Sequence, residues 1–256
     1  MDTPIVFVHG TNAGPWTMAD FTGYFAERGL RTLAPAYRHH DETISGETAE
    51  LLVGTGIDDY VEDIATAISV LDTAPVIVGH SLGGVIAQIL AARGLARAIV
   101  LLNGSVNWGV LPTTDGERAL AKRLMSAGPF WEGTLLPDFD TMSEFGLNKL
   151  VPAEQRRVFD QLGPESGRVM FELFFWMFDD NQTTRIDYQS IECPVLMVSG
   201  TEDLAVPPST ARLIAQRHGA QTTFLEVPGF GHYLMLEPGW RQIADLCAHW
   251  LLESIG

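Results

Sequence analysis

The chain alternates between short apolar runs and longer stretches in which apolar residues recur at helical spacing. Short runs bounded by turn-forming residues are typical of buried strands, whereas a spacing of three and four residues is typical of helices that bury one face. Strands are predicted at residues 5–8, 31–34, 76–78, 98–102, 195–198 and 222–227. Helices are predicted at residues 18–28, 58–71, 85–92, 209–218 and 240–252.

This succession of strand, helix and strand indicates an α/β fold. Helices cover both faces of a parallel sheet, and its strands are therefore apolar throughout rather than alternating. The predicted strands at 5–8, 76–78 and 98–102 fit that description. We expect residues 1–105 and 191–256 to form a mostly parallel sheet with helices on both faces.

Residues 106–190 interrupt this order. They contain no convincing strand pattern, and their predicted helices, at 117–125 and 166–178, are accompanied by Gly-Pro pairs that mark turns. We expect an insertion of this kind, placed between two strands of the sheet, to form a helical lid over the core.

Composition narrows the class of protein. The 256 residues are 46% hydrophobic and 19% charged, with a formal net charge of -16, which is typical of globular proteins with a packed core. The acidic balance argues against nucleic acid or an anionic membrane as a partner, since both select for clustered Lys and Arg. With two cysteines, no export pattern and no apolar run that could span a bilayer, the expected location is the cytoplasm.

The stretch Gly79-His80-Ser81-Leu82-Gly83 lies where a predicted strand passes directly into a predicted helix. In so tight a turn, side chains two residues before or after the corner would collide with the neighbouring element. Glycine at positions 79 and 83 removes the collision and leaves the corner residue in a strained backbone conformation. Ser81 is then held with its hydroxyl free of the sheet, as a nucleophile requires.

Serine is a weak nucleophile at neutral pH, and it requires a base within hydrogen-bond reach together with a group that orients the base. In a parallel sheet such partners come from loops at the carboxyl ends of the strands. Asp203 and His232 occupy the loops after the last two predicted strands. We therefore predict a catalytic triad of Ser81, His232 and Asp203, with Glu202 as an alternative to Asp203.

The chain resembles the α/β-hydrolase family along nearly its whole length. The resemblance rests on Val8-His9-Gly10, Gly79-His80-Ser81-Leu82-Gly83-Gly84, Gly200-Thr201-Glu202-Asp203 and Gly231-His232. Because only four residues precede Ile5, the resemblance implies the small six-stranded form of the fold. It also implies an oxyanion hole formed by the backbone N–H groups of Leu82 and Thr11.

The triad and the resemblance together imply a cofactor-free serine hydrolase that forms an acyl-enzyme intermediate. The expected partner is a small acyl substrate, either an ester, a lactone or a thioester. Aromatic residues at 171–178, with Phe130, Trp131 and Trp108, predict an apolar pocket above Ser81 and hence a hydrophobic acyl or alcohol portion. Two alternatives stay open, a C–C bond hydrolase of ring-cleavage products and a slow-turnover ligand receptor on the same fold.

Other chemistries of the same family require different residues. Haloalkane dehalogenases and epoxide hydrolases use a carboxylate nucleophile, whereas position 81 is a serine. Hydroxynitrile lyases carry threonine where Gly10 stands and lysine where Tyr233 stands. We assign His9 and His80 structural roles, and no histidine has a partner at metal-ligand spacing, so no metal is expected.

Overall fold

The computed structural model describes residues 3–40 and 49–256. Within them, one sheet contains six parallel strands in the order β2-β1-β3-β4-β7-β8, and a separate ribbon pairs β5 with β6. The strands are β1 Ile5–Val8, β2 Thr32–Leu33, β3 Val76–His80, β4 Ala98–Leu102, β5 Thr134–Leu135, β6 Glu165–Ser166, β7 Val195–Gly200 and β8 Thr222–Val227. The predicted α/β fold with a mostly parallel six-stranded sheet is confirmed.

The central strands are buried on both faces. Every residue of β1, β3 and β4 is buried, in accordance with their unbroken apolar sequences. The strands run in register, with Val8 beside Gly79 and Leu102 beside Val198. Their carboxyl ends therefore meet at one edge of the sheet, and the loops that carry the predicted site residues leave from that edge.

Helices cover both faces of the sheet. The longer ones are α1 Ala19–Ala26, α2 Ile57–Ile68, α3 Leu82–Ala92, α4 Asp115–Ser126, α5 Pro152–Phe159, α6 Gly167–Phe174, α7 Pro208–His218 and α8 Trp240–Ile255. On one face α2, α3 and α7 share a core with Ile77 and Ile99, and on the other α1 and α8 share a core with Val78 and Val100. Each such buried apolar side chain contributes about 1.5 to 3 kcal/mol. None of the helices in the described residues is long and apolar enough to cross a membrane.

Residues 106–190 connect β4 to β7 and include α4, α5 and α6. The expectation that this segment contains no strand is wrong, because β5 and β6 pair antiparallel, with Thr134 beside Ser166. Each of these strands has two residues, too few for an alternating pattern to be visible in the sequence. Helix α5 also lacks a sequence signal, since it buries only Val158. That the segment acts as a lid stays a prediction.

The connection between β3 and α3 is a corner in which backbone approaches backbone. A Cβ atom at Gly79 would overlap the carbonyl oxygen of Gly83, and one at Gly83 would overlap that of Val8. A Cβ atom at Gly84 would lie 2.8 Å from the Cα atom of Gly104. Glycine is therefore required at these positions to let the helix start directly above the sheet.

We predict that Gly79→Ala lowers the free energy of unfolding by about 1 to 3 kcal/mol, because the added methyl group forces α3 away from β3. Urea unfolding of purified protein measures this change. The matched control is Gly23→Ala in α1, where an added Cβ meets no atom within 4 Å and the better helix propensity of alanine should stabilise by about 0.5 to 1 kcal/mol. Equal effects of the two substitutions would contradict the account of the corner.

Candidate active site

Ser81 occupies the corner between β3 and α3 in a conformation that few residues other than glycine adopt. Its φ is 51° and its ψ is -118°, and such backbone strain costs about 1 to 3 kcal/mol. The residue is 6% exposed. Its N–H donates to the carbonyl of Leu102 at 3.2 Å, and its carbonyl accepts the N–H groups of Gly84 and Ser105. These bonds and the close packing of the glycines hold the serine at the edge of the sheet.

Asp203 and His232 are in direct contact. The Nδ1–H of His232 donates to Oδ2 of Asp203 at 2.9 Å, and both side chains are buried. The other carboxylate oxygen of Asp203 accepts the N–H groups of Ala205 and Val206 at 2.8 and 2.9 Å. Asp203 is thereby fixed by its own loop, and it holds the His232 ring with Nε2 as the free nitrogen. The alternative residue, Glu202, is exposed and pairs with Lys149 instead.

The Ser81 hydroxyl hydrogen bonds to the hydroxyl of Ser105 at 3.0 Å, and it makes no hydrogen bond with His232 in this structure. Ser81, Ser105 and His232 nevertheless line the same cavity. In many active sites the hydrogen bond between nucleophile and base is long or poorly aligned at first and tightens in the complex with substrate. The structure therefore pairs His232 with Asp203 and places His232 and Ser81 at one cavity, but Ser81 and His232 are not hydrogen bonded to each other.

Sequence reasoning missed Asn103, which follows β4. This residue is buried and has a φ of 45°. Its side-chain amide donates to the carbonyls of Gly231 and His232 at 2.7 and 2.8 Å, and its Oδ1 accepts the N–H of Gly200 at 2.9 Å. Asn103 thus ties the ends of two strands to the loop of the histidine. The sequence signal for such a role is a polar residue that directly follows a buried strand at the edge of the site.

Of the two residues predicted to form the oxyanion hole, Leu82 follows Ser81 directly and Thr11 lines the same cavity as Ser81. Leu82 is the first residue of α3, where a backbone N–H has no partner within the helix and the helix dipole is positive. Thr11 lies in the loop after β1 and lines the cavity. Between them, a Cβ atom at Gly10 would lie 3.1 Å from the Cβ of Ser81, so a larger residue there would crowd the serine.

The neighbouring histidines are buried and support the site. Burial, followed by the nearby His232, holds the pKa of His80 well below its ordinary value, and its Nε2–H donates to the carbonyl of His232 at 3.1 Å. Burial, followed by the charge of His40, lowers the pKa of His9 to about 3. Within the described ranges, no three His, Cys, Asp or Glu side chains are grouped as a metal site would require.

The cavity beside Ser81 has a volume of about 630 Å³. Its apolar lining includes side chains of α4 and α6 among others, namely Leu120, Leu124, Phe145, Met170, Phe174 and Val206. Charged residues also line it, namely Arg123, Asp138, Asp140 and Glu144. Of the aromatic residues predicted for the pocket, Phe174 lines the cavity. Phe130 and Phe175 pack in a small separate core, and neither Trp108 nor Trp131 is among the described residues that line the cavity.

Known proteins resemble this chain over nearly its whole length. It is 24% identical over 261 residues to a monoacylglycerol lipase of Mycolicibacterium smegmatis, covering 98% of this chain and 88% of that protein. It is 26% identical over 268 residues to a non-heme chloroperoxidase of Burkholderia pyrrocinia, covering 96% and 90%. Tomato methylketone synthase I, solved with 2-tridecanone, superposes with a TM-score of 0.76 over 99% of both chains at 13% identity, which shows a shared fold.

The sequence model of one family, described as the alpha/beta hydrolase family, matches residues 5–246. This range begins at β1 and ends within α8, so it includes the sheet, the corner at Ser81 and the loops of Asp203 and His232. We conclude that the protein belongs to the alpha/beta hydrolase family.

Proposed function

We propose that this protein is a serine hydrolase that cleaves a small, hydrophobic carboxylic ester through an acyl-enzyme intermediate. The observation that carries the proposal is the hydrogen bond between His232 and Asp203, made beside the cavity that also exposes the strained Ser81. A strained serine and an oriented imidazole in one cavity are the two groups that acyl transfer needs. The lipase among the relatives supports ester substrates.

In this mechanism the Ser81 hydroxyl turns from Ser105 to His232 when the substrate binds. His232 Nε2 accepts the hydroxyl proton as Ser81 Oγ attacks the carbonyl carbon, and Asp203 stabilises the imidazolium that forms. The tetrahedral intermediate collapses as His232 gives the proton to the leaving alcohol, and an acyl-Ser81 ester remains. A water molecule, deprotonated by His232, then releases the acid by the same steps.

The negative charge of the intermediate would be stabilised by the N–H groups of Leu82 and Thr11. The first points from the start of α3, where the helix dipole adds to the hydrogen bond. The second belongs to the loop beside Gly10, whose lack of a side chain keeps the space above Ser81 open. The loss of one such donor costs about 3 to 4 kcal/mol of transition-state stabilisation.

The apolar side chains that line the cavity support a hydrophobic acyl group. They include Leu124 of α4 and Met170 and Phe174 of α6, and each methylene that they shield from water contributes about 0.8 kcal/mol. Because this contribution is made in the transition state as well as in the complex, it should raise kcat/KM for longer acyl chains up to the volume of the cavity.

A buried carboxyl group supports the loop of the proposed general base. Oε2 of Glu237 accepts the N–H of Gly231 at 2.8 Å, and the residue is 3% exposed. Burial, only partly offset by the hydrogen bond from Gly231, raises the pKa of Glu237 from 4.5 to about 7. The folded protein thus retains a proton between these pH values that the unfolded chain releases, so the contribution of Glu237 to stability falls as the pH rises through 7.

We predict that Ser81→Ala lowers kcat for nitrophenyl esters by about 10³-fold or more while leaving the protein folded, because the acyl-enzyme cannot form. Steady-state kinetics and circular dichroism measure the two effects. The control is Ser69→Ala, an exposed serine at the end of α2, which should leave kcat unchanged. Unreduced activity of Ser81→Ala would rule out the proposal.

We predict that kcat/KM rises about fourfold for each methylene between the acetyl and hexanoyl esters of nitrophenol, in line with about 0.8 kcal/mol per buried group. Leu124→Trp should narrow the cavity and reduce this rise while changing the rate for the acetyl ester less than about twofold. Met125→Trp, at an exposed neighbouring position, is the matched control. Rates that fall steadily with chain length in the unmodified protein would contradict a hydrophobic acyl site.

We predict that Glu237→Gln becomes progressively more stable than the unmodified protein as the pH rises from 4.5 to 8. The expected gain is about 3 kcal/mol at most, since the glutamine keeps an acceptor for Gly231 and never ionises. Urea unfolding of both proteins at a series of pH values gives the difference in free energy. A difference that does not vary with pH would show that Glu237 has an ordinary pKa.

A further inference from the structure

Asn12, the residue after Thr11, is hydrogen bonded to three residues of the 106–190 segment. Its N–H donates to Oε2 of Glu165 at 3.0 Å, and its side-chain amide donates to the carbonyls of Gly163 at 2.8 Å and Leu135 at 3.4 Å. Its carbonyl accepts the N–H of Gly163 at 2.9 Å. These bonds hold Asn12 at a φ of 57°, in the left-handed region that a non-glycine residue occupies only when its surroundings fix it.

Glu165 is the charged member of this set, and it is fully buried. Its Oε1 accepts the hydroxyl of Tyr60 at 2.6 Å and the N–H of Ser166 at 2.8 Å. Its Oε2, which accepts the N–H of Asn12, lies 3.4 Å from Nε2 of His40. The carboxylate therefore joins four parts of the chain, the loop after β1, the segment before residue 41, helix α2 and strand β6.

The contacts of this carboxylate favour its ionised form. Burial alone would raise its pKa, but the charge of His40, 3.4 Å away, and the hydrogen bonds of Tyr60 and Asn12 outweigh burial and hold the pKa of Glu165 below its ordinary value. The same contact raises the pKa of His40 against the effect of burial. Removing such a charge from water costs free energy, which its partners in the protein offset. The loss of the carboxylate would therefore leave buried donors unsatisfied and destabilise the fold.

The position of this group relative to Ser81 gives it a consequence for the reaction. Thr11 and Asn12 both line the cavity of Ser81, so the loop offers two successive N–H groups near the proposed site of the oxyanion. The N–H of Asn12 already donates to Glu165. The N–H of Thr11 makes no hydrogen bond to an acceptor in residues 3–40 or 49–256, and it is left as the donor of this loop.

We propose that Glu165 is a positioning residue for the oxyanion loop. By holding the N–H of Asn12 and the left-handed turn at that residue, it directs the N–H of Thr11 toward the oxygen that becomes negative when Ser81 attacks. This inference rests on the proposed serine hydrolase function. It also makes the 106–190 segment part of the catalytic apparatus, because β6 and Gly163 supply the groups that fix the loop.

The test compares Glu165→Gln with the unmodified enzyme. A glutamine places its amide NH2 against the N–H of either Asn12 or Ser166. The loop therefore either loses its acceptor or keeps one that β6 no longer holds in place. We expect kcat to fall about 10- to 100-fold with KM changed less than about twofold, as for a weakened oxyanion donor. Affinity for an alkyl trifluoromethyl ketone, which binds Ser81 as a tetrahedral oxyanion, should fall by a similar factor.

The matched control is Glu172→Gln. Glu172 is 2% exposed and also joins the 106–190 segment to the core, since its Oε2 accepts the N–H of Ile57 at 2.7 Å and its Oε1 accepts Nε–H of Arg168 at 2.8 Å. It does not touch the loop after β1. We expect Glu172→Gln to lower the melting temperature while leaving kcat and ketone affinity within about twofold.

Equal losses of ketone affinity in the two variants, or no loss in Glu165→Gln, would overturn the inference and leave Glu165 a structural residue. If Glu165→Gln does not fold, Glu165→Asp keeps the charge but draws the carboxylate back by one methylene. Its ketone affinity should fall at least threefold, and an unchanged value would again refute the inference. Failure of the proposed function itself is distinguishable, because the unmodified protein would then neither hydrolyse esters nor bind the ketone.

Discussion

The structure depends on one close contact between backbones, where α3 starts directly above β3. The atoms of Gly79, Gly83 and Gly84 leave no room for side chains, and Ser81 takes a φ of 51° as the chain turns. This conformation costs about 1 to 3 kcal/mol, which the burial of β3 and of the apolar face of α3 readily offsets. In return, one hydroxyl and the first N–H groups of a helix are held at the same edge of the sheet.

The remaining site residues are held by polar side chains that are themselves buried. Asn103 bonds to the loop of His232 and to the end of β7, and Glu237 bonds to the residue before that histidine. Asp203 is fixed by two N–H groups of its own loop as well as by the imidazole. Rigid support of this kind keeps donors and acceptors aligned before the reaction starts, so that little reorganisation is required in the transition state.

The sheet, its covering helices and the positions of Ser81, Asp203 and His232 could be inferred from the sequence because each has a local signal. Apolar runs mark the strands, glycines mark the corner, and the polar residues follow directly after strands. Glu165 has no such signal, since it contacts Asn12 across 153 positions and stands among polar neighbours. His40 likewise gave no reason for a site prediction, because its partner is distant in the sequence. The contact of the Ser105 hydroxyl with Ser81 has no sequence signal either, because it depends on side-chain rotation.

The most direct test of the central claim is a crystal structure of the protein after reaction with an alkyl phosphonate nitrophenyl ester. The account predicts a phosphorus atom bonded to Ser81 Oγ, with one phosphonyl oxygen within 3.2 Å of both the Leu82 and Thr11 nitrogens, as expected for hydrogen bonds. His232 Nε2 should lie within the same distance of Ser81 Oγ. A protein that does not react, or an adduct whose oxygen faces neither N–H, would contradict the account.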